Sequence, residues 1–224
     1  MKKIVFALMA MSLMNVTFMS AQEEVSNNAI KGVSKGDLLV RLRGVGVVPN
    51  EDSKVGIIGG DVTLSNTFIP ELDFTYFFTD HIAAELILGT SKHDVGVVNS
   101  AAGNVDLGSV WLLPPTLTAQ YHFYTSSEKV FKPYIGAGLN YTLFYNVKSG
   151  DVADVSYDNA LGYAAQIGFD LMINDKFFIN VDAKRLFLST DVTVDASNLA
   201  PGLSIPAEVD IDPWLLGFGI GMKF

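Results

Sequence analysis

Period-two alternation runs through nearly all of this chain after residue 36, and its polarity is inverted relative to a water-soluble sheet. Eight segments carry it: 37–48, 66–78, 80–93, 109–124, 131–146, 158–173, 176–192 and 209–224. Each has the length of a tilted membrane strand. In 66–78 one face holds Phe68, Leu72, Phe74, Tyr76 and Phe78, while the other holds Ile69, Glu71, Asp73 and Thr75. In 158–173 Leu161, Tyr163, Ile167, Phe169 and Leu171 oppose Gly162, Gln166, Gly168 and Asp170. In 209–224 Trp214, Leu216, Phe218, Ile220 and Met222 oppose Leu215, Gly217, Gly219 and Gly221. The bulky apolar side chains thus share one face, and the small or polar ones share the other. A soluble ligand-binding barrel turns polar groups outward, so the surroundings here must be lipid and the interior polar.

The connections alternate in length. "TDH", "NDK" and "TSSEKV" are short, whereas 49–65, 94–108, 147–157 and 193–208 are long. The fold class expected is all-β: an eight-stranded antiparallel transmembrane β-barrel with short periplasmic turns and long extracellular loops. Aromatics gather near the segment ends, with Tyr76, Phe78, Tyr121, Phe123 and Phe177 at one end and Trp111, Tyr141, Tyr145 and Trp214 at the other. Interfacial girdles lie at such positions. Charged residues are only 17% of the chain and mean hydropathy is +0.32, yet past the first twenty residues no apolar run reaches the length of a spanning helix.

Residues 1–21 read as a secretory signal: Lys2 and Lys3, an apolar run from Ile4 to Met14, then Ser20 and Ala21. Residues 22–36, "QEEVSNNAIKGVSKG", read as a flexible periplasmic segment, and 37–224 as the barrel. Cleavage near Ala21 leaves 13 basic against 24 acidic residues, a balance that excludes nucleic acid as a partner. With no cysteine in an exported chain, stability has to come from packing and backbone ladders.

The inward parity carries the candidate functional residues. Arg41, Arg43, Glu71, Asp73, Glu85, Asp182 and Lys184 fall at similar height above the short turns, joined by Gln166 and Asp170, with Lys223 close below. Eight strands leave a bore just wide enough for side chains to fill, and paired charges can be held there. The layer reads as a charged plug that closes the lumen and fixes strand register. Above it Ile69, Ile87, Leu112, Phe144, Leu186 and Leu188 face inward. They form either an apolar site for a small hydrophobic molecule or simple packing. Pro114 and Pro115 interrupt a strand in "VWLLPPTLT". That irregularity is either a gap in the wall, through which an apolar ligand leaves sideways, or a bulge. Arg185 falls on the lipid-facing parity, which calls for snorkelling or a register shift.

Several segments resemble the outer membrane protein W family in order and spacing: "GDLLVRLRGVGVVPNEDS", "PELDFTYFFTDHIAAELILGTSKHDV", "LGSVWLLPPTLTAQYHF", "FKPYIGAGLNYTLFY" and "VDIDPWLLGFGIGMKF". The resemblance implies an outer-membrane barrel of Gram-negative type, without cofactor, that passes small hydrophobic compounds. It also implies colicins or phage as further partners, besides membrane lipid. The final Phe224 is similar to the terminal aromatic that the barrel-assembly machinery reads in such proteins.

Two rival functions are weighed against that reading. A lipid-modifying enzyme needs a serine, a histidine and an acid within reach of one another. Ser91, His93 and Asp94 come nearest, but Asp94 takes the opposite face, and His93 is expected to be a solvated rim residue. His81 and His122 lie near the short turns, so no metal site is expected. A structural, adhesive or receptor barrel acting through its loops is the other rival, since the loops are ordinary solvated sequence.

Overall fold

The computed structural model describes residues 30–56, 58–124, 130–198 and 200–224. The signal segment therefore lies outside the described residues, as does most of the segment after it. Eight strands close the barrel: β1 (Leu38–Val48), β4 (Thr67–Phe77), β5 (Ile82–Gly89), β8 (Thr116–His122), β9 (Phe131–Lys148), β11 (Ala160–Met172), β12 (Phe177–Phe187) and β15 (Trp214–Lys223). Each pairs antiparallel with its neighbours, β15 closing on β1 and β9 on β11. Closure leaves no open edge, which is what a sheet in hydrocarbon requires.

The alternation sorts as its polarity dictates. Phe68, Leu161, Tyr163 and Phe218 lie 62–75% exposed on the outside, while Arg41, Asp73 and Glu85 are wholly buried within. Inward glycines make room for large neighbours. A Cβ on Gly221 would collide with the Phe178 ring, and one on Gly168 with the Tyr134 phenol.

Seven further strands continue this wall upward: β2 (Asp52–Val55), β3 (Asp61–Leu64), β6 (Ser91–Ser100), β7 (Gly103–Leu113), β10 (Asp154–Tyr157), β13 (Ser189–Asp195) and β14 (Ser204–Asp210). The long connections expected as loops are therefore largely strand. Their short alternating runs, such as "DVTL" and "DVSY", sit among Gly, Asn and Asp, and that polarity masks the period in the sequence. Above the barrel the cylinder divides into two sheets. β3, β6 and β7 run on to the upper part of β9, and β10, β13, β14 and β2 form the other sheet. Their inner faces share one apolar core that includes Val62, Val97, Leu107, Val192 and Ile205.

At the opposite end, residues 30–35 pack across the mouth of the barrel, where the sequence suggests a flexible segment. Val33 is fully buried beside Leu39, Phe77 and Phe178. The Lys31 and Lys35 amides donate to Asp175 and Asp80, each at 2.9 Å, and the Gly32 carbonyl accepts from Lys223 Nζ at 2.5 Å. Val33, with Ile30 packed against the same cluster, and bonded backbone groups hold the segment there.

The Pro114/Pro115 step interrupts the ladder without a bulge. Leu113 faces Leu143 and Thr116 faces Asn140, so no residue is inserted across the step. The register shift of this region sits higher, between Ser109 and Trp111. Arg185 also keeps its register, opposite Ala165 and Trp214. It pairs with Asp212 at 3.5 Å and lies over the Trp214 ring, an arrangement suited to the outer interface.

Candidate functional site: a layered lumen

The bore is built in layers. Its floor is apolar: Val33, Leu39, Phe77, Ala83, Met172 and Phe178. Lys132 crosses this level fully buried, its Nζ 3.4 Å from the Val33 carbonyl and 4.5 Å from the centre of the Phe77 ring.

Directly above lies the charged layer, positioned by the pleat. Arg41 and Arg43, two residues apart on β1, point into the same bore. The Arg41 guanidinium forks onto Asp170, with Nε–Oδ1 at 3.2 Å and Nη2–Oδ2 at 2.8 Å. Its Nη1 reaches Asp73 at 2.9 Å and Thr75 at 2.5 Å. Tyr134 and Phe178 flank it at 5.8 and 5.5 Å. Arg43 Nη2 lies 2.7 Å from Glu71, 3.0 Å from Asp73 and 3.3 Å from Glu85, while its Nη1 donates to Asn180 at 3.2 Å. Asp182 accepts from the Tyr134 hydroxyl at 2.9 Å, and Lys184 lies 3.7 Å from Asp182 and 3.8 Å from Glu71.

Glu85 holds the far side of the layer, bonded to Gln120 and Gln166 at 2.8 Å each and to Thr118 at 3.2 Å. All seven charged residues singled out in the sequence meet here. The planar fork on Asp170 and the many ionic and hydrogen-bond contacts are what let such charges stay out of water, although Arg43 Nε and Gln166 Oε1 have no hydrogen-bond partner among the described residues. Lys132, Tyr134 and Asn180 also line the bore, though the sequence pattern did not single them out; Asn180 shares the parity of Asp182 and Lys184, and Lys132 and Tyr134 that of the buried Asn140 and Thr142.

Above the charges the lumen turns apolar. Val45, Val47, Ile69, Ala164, Leu186 and Leu215 pack together. A cavity of about 30 Å³ follows, lined by Ile69, Leu112, Pro114, Leu186 and Leu188 together with Ser91 and His93. Higher still, between the two sheets, an apolar cavity of about 70 Å³ includes Leu107 and Phe144 in its wall. Of the apolar residues singled out, Ile87 alone lines neither cavity, though it is buried.

His93 is buried, not a solvated rim residue, because it shares inward parity with Val95 and Val97. Its Nδ1 lies 2.7 Å from the Ser65 carbonyl and its Nε2 lies 3.0 Å from Ser91 Oγ. Burial holds the imidazole below its ordinary range, against the opposite pull of that carbonyl and of Asp94 and Glu51. The third partner is thus a backbone carbonyl where a triad would place a carboxylate. Asp94 points outward to Lys92 at 3.3 Å.

At the proline step Asn140 spans the interrupted ladder. Its Nδ2 donates to Thr116 Oγ1 at 2.9 Å and to the Pro114 carbonyl at 3.2 Å. Phe224 closes the last strand, its amide bonded to the Leu38 carbonyl at 2.9 Å and its ring exposed at the barrel's lower end.

Comparison with known proteins gives this architecture its place. The outer-membrane protein y4mB of Sinorhizobium fredii is 44% identical over 200 residues, covering 88% of this chain and 84% of that protein. The dibenzothiophene metabolism operon protein PahQ of Pseudomonas aeruginosa is 27% identical, over 74% of this chain and 76% of its own. The crystal structure of the outer membrane protein OprG from Pseudomonas aeruginosa superposes with a TM-score of 0.80 at 27% identity, covering 87% of this chain and 99% of that one. The OmpW family model matches residues 34–224. With a closed, lipid-facing eight-stranded wall and a match over nearly its whole length, this chain belongs to the OmpW family and is an outer-membrane β-barrel protein.

Proposed function

We propose that the barrel carries small hydrophobic molecules from the cell exterior into the outer membrane. The apolar upper lumen serves as their binding site, and the charged layer beneath acts as a plug. The observation that carries this reading is the vertical order of the bore, with apolar packing and apolar cavities standing above a layer of ion-paired charges. An apolar guest gains burial above the layer and would have to break buried ion pairs to go below it. It therefore leaves sideways, at the Pro114/Pro115 interruption where Pro114 borders the lower cavity. The name of the relative PahQ, which places it with dibenzothiophene metabolism, supports an apolar cargo.

Entry requires the upper sheets to part, since a cavity of about 70 Å³ is small beside an ordinary ligand pocket of about 300 Å³ or more. Among the described residues no strand pairing joins the two sheets. Their seams are latched by side chains: Ser53 accepts from the Val62 amide at 2.8 Å, and Asn159 from the Phe144 amide at 3.2 Å. Separation therefore spares the backbone ladders. The Ser91–His93 pair is backed by the Ser65 carbonyl and not by a carboxylate, which favours passage over catalysis. Phe224, exposed at the lower rim, serves as the signal read by the assembly machinery.

Uptake of dibenzothiophene by Gram-negative cells with and without this gene tests the proposal. Faster uptake with the gene supports it. Equal uptake, with the barrel present in the outer membrane at normal level, rejects it in favour of a receptor or adhesive role.

A further inference from the structure

The cavity above the charged layer holds polar groups that a pure hydrocarbon would leave unused. Ser91 and His93 are only 5% and 2% exposed, yet with Thr142, whose hydroxyl donates to Asn140 Oδ1 at 2.7 Å, they line a space whose other walls include Ile69, Leu112, Leu186 and Leu188. The hydrogen bonds define the state of the pair. A carbonyl can only accept, so the Ser65 carbonyl requires the proton on His93 Nδ1. In the neutral ring Nε2 is then the acceptor, and the Ser91 hydroxyl spends its single proton on it. Ser91 Oγ is left with acceptor capacity only, and this hydroxyl bonds to nothing else among the described residues. Latching β6 to the turn at Ser65 explains His93 Nδ1, but gives no reason for a serine to sit beneath it.

Resting on the transport reading above, we infer that the cargo is an amphiphile whose polar end donates a hydrogen bond, an alcohol or an undissociated carboxylic acid. Its head docks on Ser91 Oγ and its tail rises into the apolar cavity between the sheets. The dimensions agree. The lower space is about 30 Å³, and a single water needs about 10–15 Å³, so a hydroxyl or carboxyl end fits while a longer chain must extend upward. Ile211 lines both cavities, which makes them neighbours along one path. Pro114 borders the same lower space, so the head is held beside the interruption through which the molecule leaves. A ketone or ether of equal length offers no proton to Ser91 and meets a second acceptor instead.

The test uses the full barrel in lipid nanodiscs, with imidazole ¹⁵N shifts of His93 followed against 1-octanol, 2-octanone and octane, each corrected for partition into lipid. Octanol is expected to bind about fivefold more tightly than octanone, the factor that one hydrogen bond of about 1 kcal/mol supplies, and to move the His93 Nε2 resonance. Ser91→Ala should abolish that preference, and Ser91→Thr should restore it. Equal affinity of octanol and octanone in the wild-type barrel overturns this inference and leaves the transport reading intact. Failure of all three probes to enter the lumen overturns the transport reading itself, and this inference with it.

Discussion

Glu85→Ala removes the carboxylate that joins three walls of the bore. Its two oxygens accept from Arg41 at 3.4 Å and Arg43 at 3.3 Å on β1, Thr118 at 3.2 Å and Gln120 at 2.8 Å on β8, and Gln166 at 2.8 Å on β11. Alanine leaves five donors facing a space too narrow and too buried to be rehydrated freely. Removing one partner of a buried ionic network costs about 3–5 kcal/mol. Glu85→Gln keeps the shape but turns an amide nitrogen toward donors, and is expected to cost about 1.5–3 kcal/mol. Urea titration of the barrel in phosphatidylcholine vesicles, followed through Trp111 and Trp214, measures both. Arg43→Met alone should also destabilise, and combined with Glu85→Ala it should give less than the sum of the two by at least about 1 kcal/mol, because each substitution removes the other's unmatched charge. Glu85→Ala within about 0.5 kcal/mol of wild type, or strict additivity, would refute the claim that these charges act as a coupled layer.

Three further outcomes are expected. Asn140→Leu removes the donor that spans the proline step, and should speed amide exchange at Tyr141, which donates to the Pro115 carbonyl at 3.1 Å, with a loss of about 0.5–1.5 kcal/mol per bond. Val33→Gly should free residues 30–35, raising exchange at the Lys35 amide by one to two orders of magnitude, since a buried valine contributes about 1.5–3 kcal/mol, while β1 to β15 stay protected. Because His93 is held neutral below its usual value of 6.5, the open state binds the extra proton, so the local stability of β3 and β6 is fully present above that value and falls as pH drops through it. Protection factors at the Leu64 and Asp94 amides, taken against the intrinsic exchange rate at each pH, should therefore fall on acidification, and His93→Gln should flatten that dependence.

The wall and its ionic layer were legible because the strand period is two and the lipid-facing side tolerates only apolar bulk. Counting from the short turns then placed Arg41, Glu71, Glu85 and Lys184 at one height. The upper sheets were not legible, since their strands are short and solvent covers one face. There Gly, Asn and Asp serve hairpins as readily as loops, and Asn99, Asn146 and Gly108 do adopt positive φ. The burial of His93 follows from parity with Val95 once β6 is recognised as a strand. The order of residues 30–35 had no periodic signal, because it rests on Val33 and Ile30 and on backbone groups bonded to Asp175, Asp80 and Lys223.

The account turns on where an apolar molecule can reside inside the barrel. Solid-state NMR of the protein in lipid bilayers with ¹³C-labelled octane reads this from cross-peaks to assigned methyl groups. Contacts with Ile69, Leu186 and Leu188, and none with Leu39 or Met172 beneath the ionic layer, are predicted. Cross-peaks to Leu39 or Met172, or contacts confined to outward residues such as Leu42 and Ile220, would contradict it.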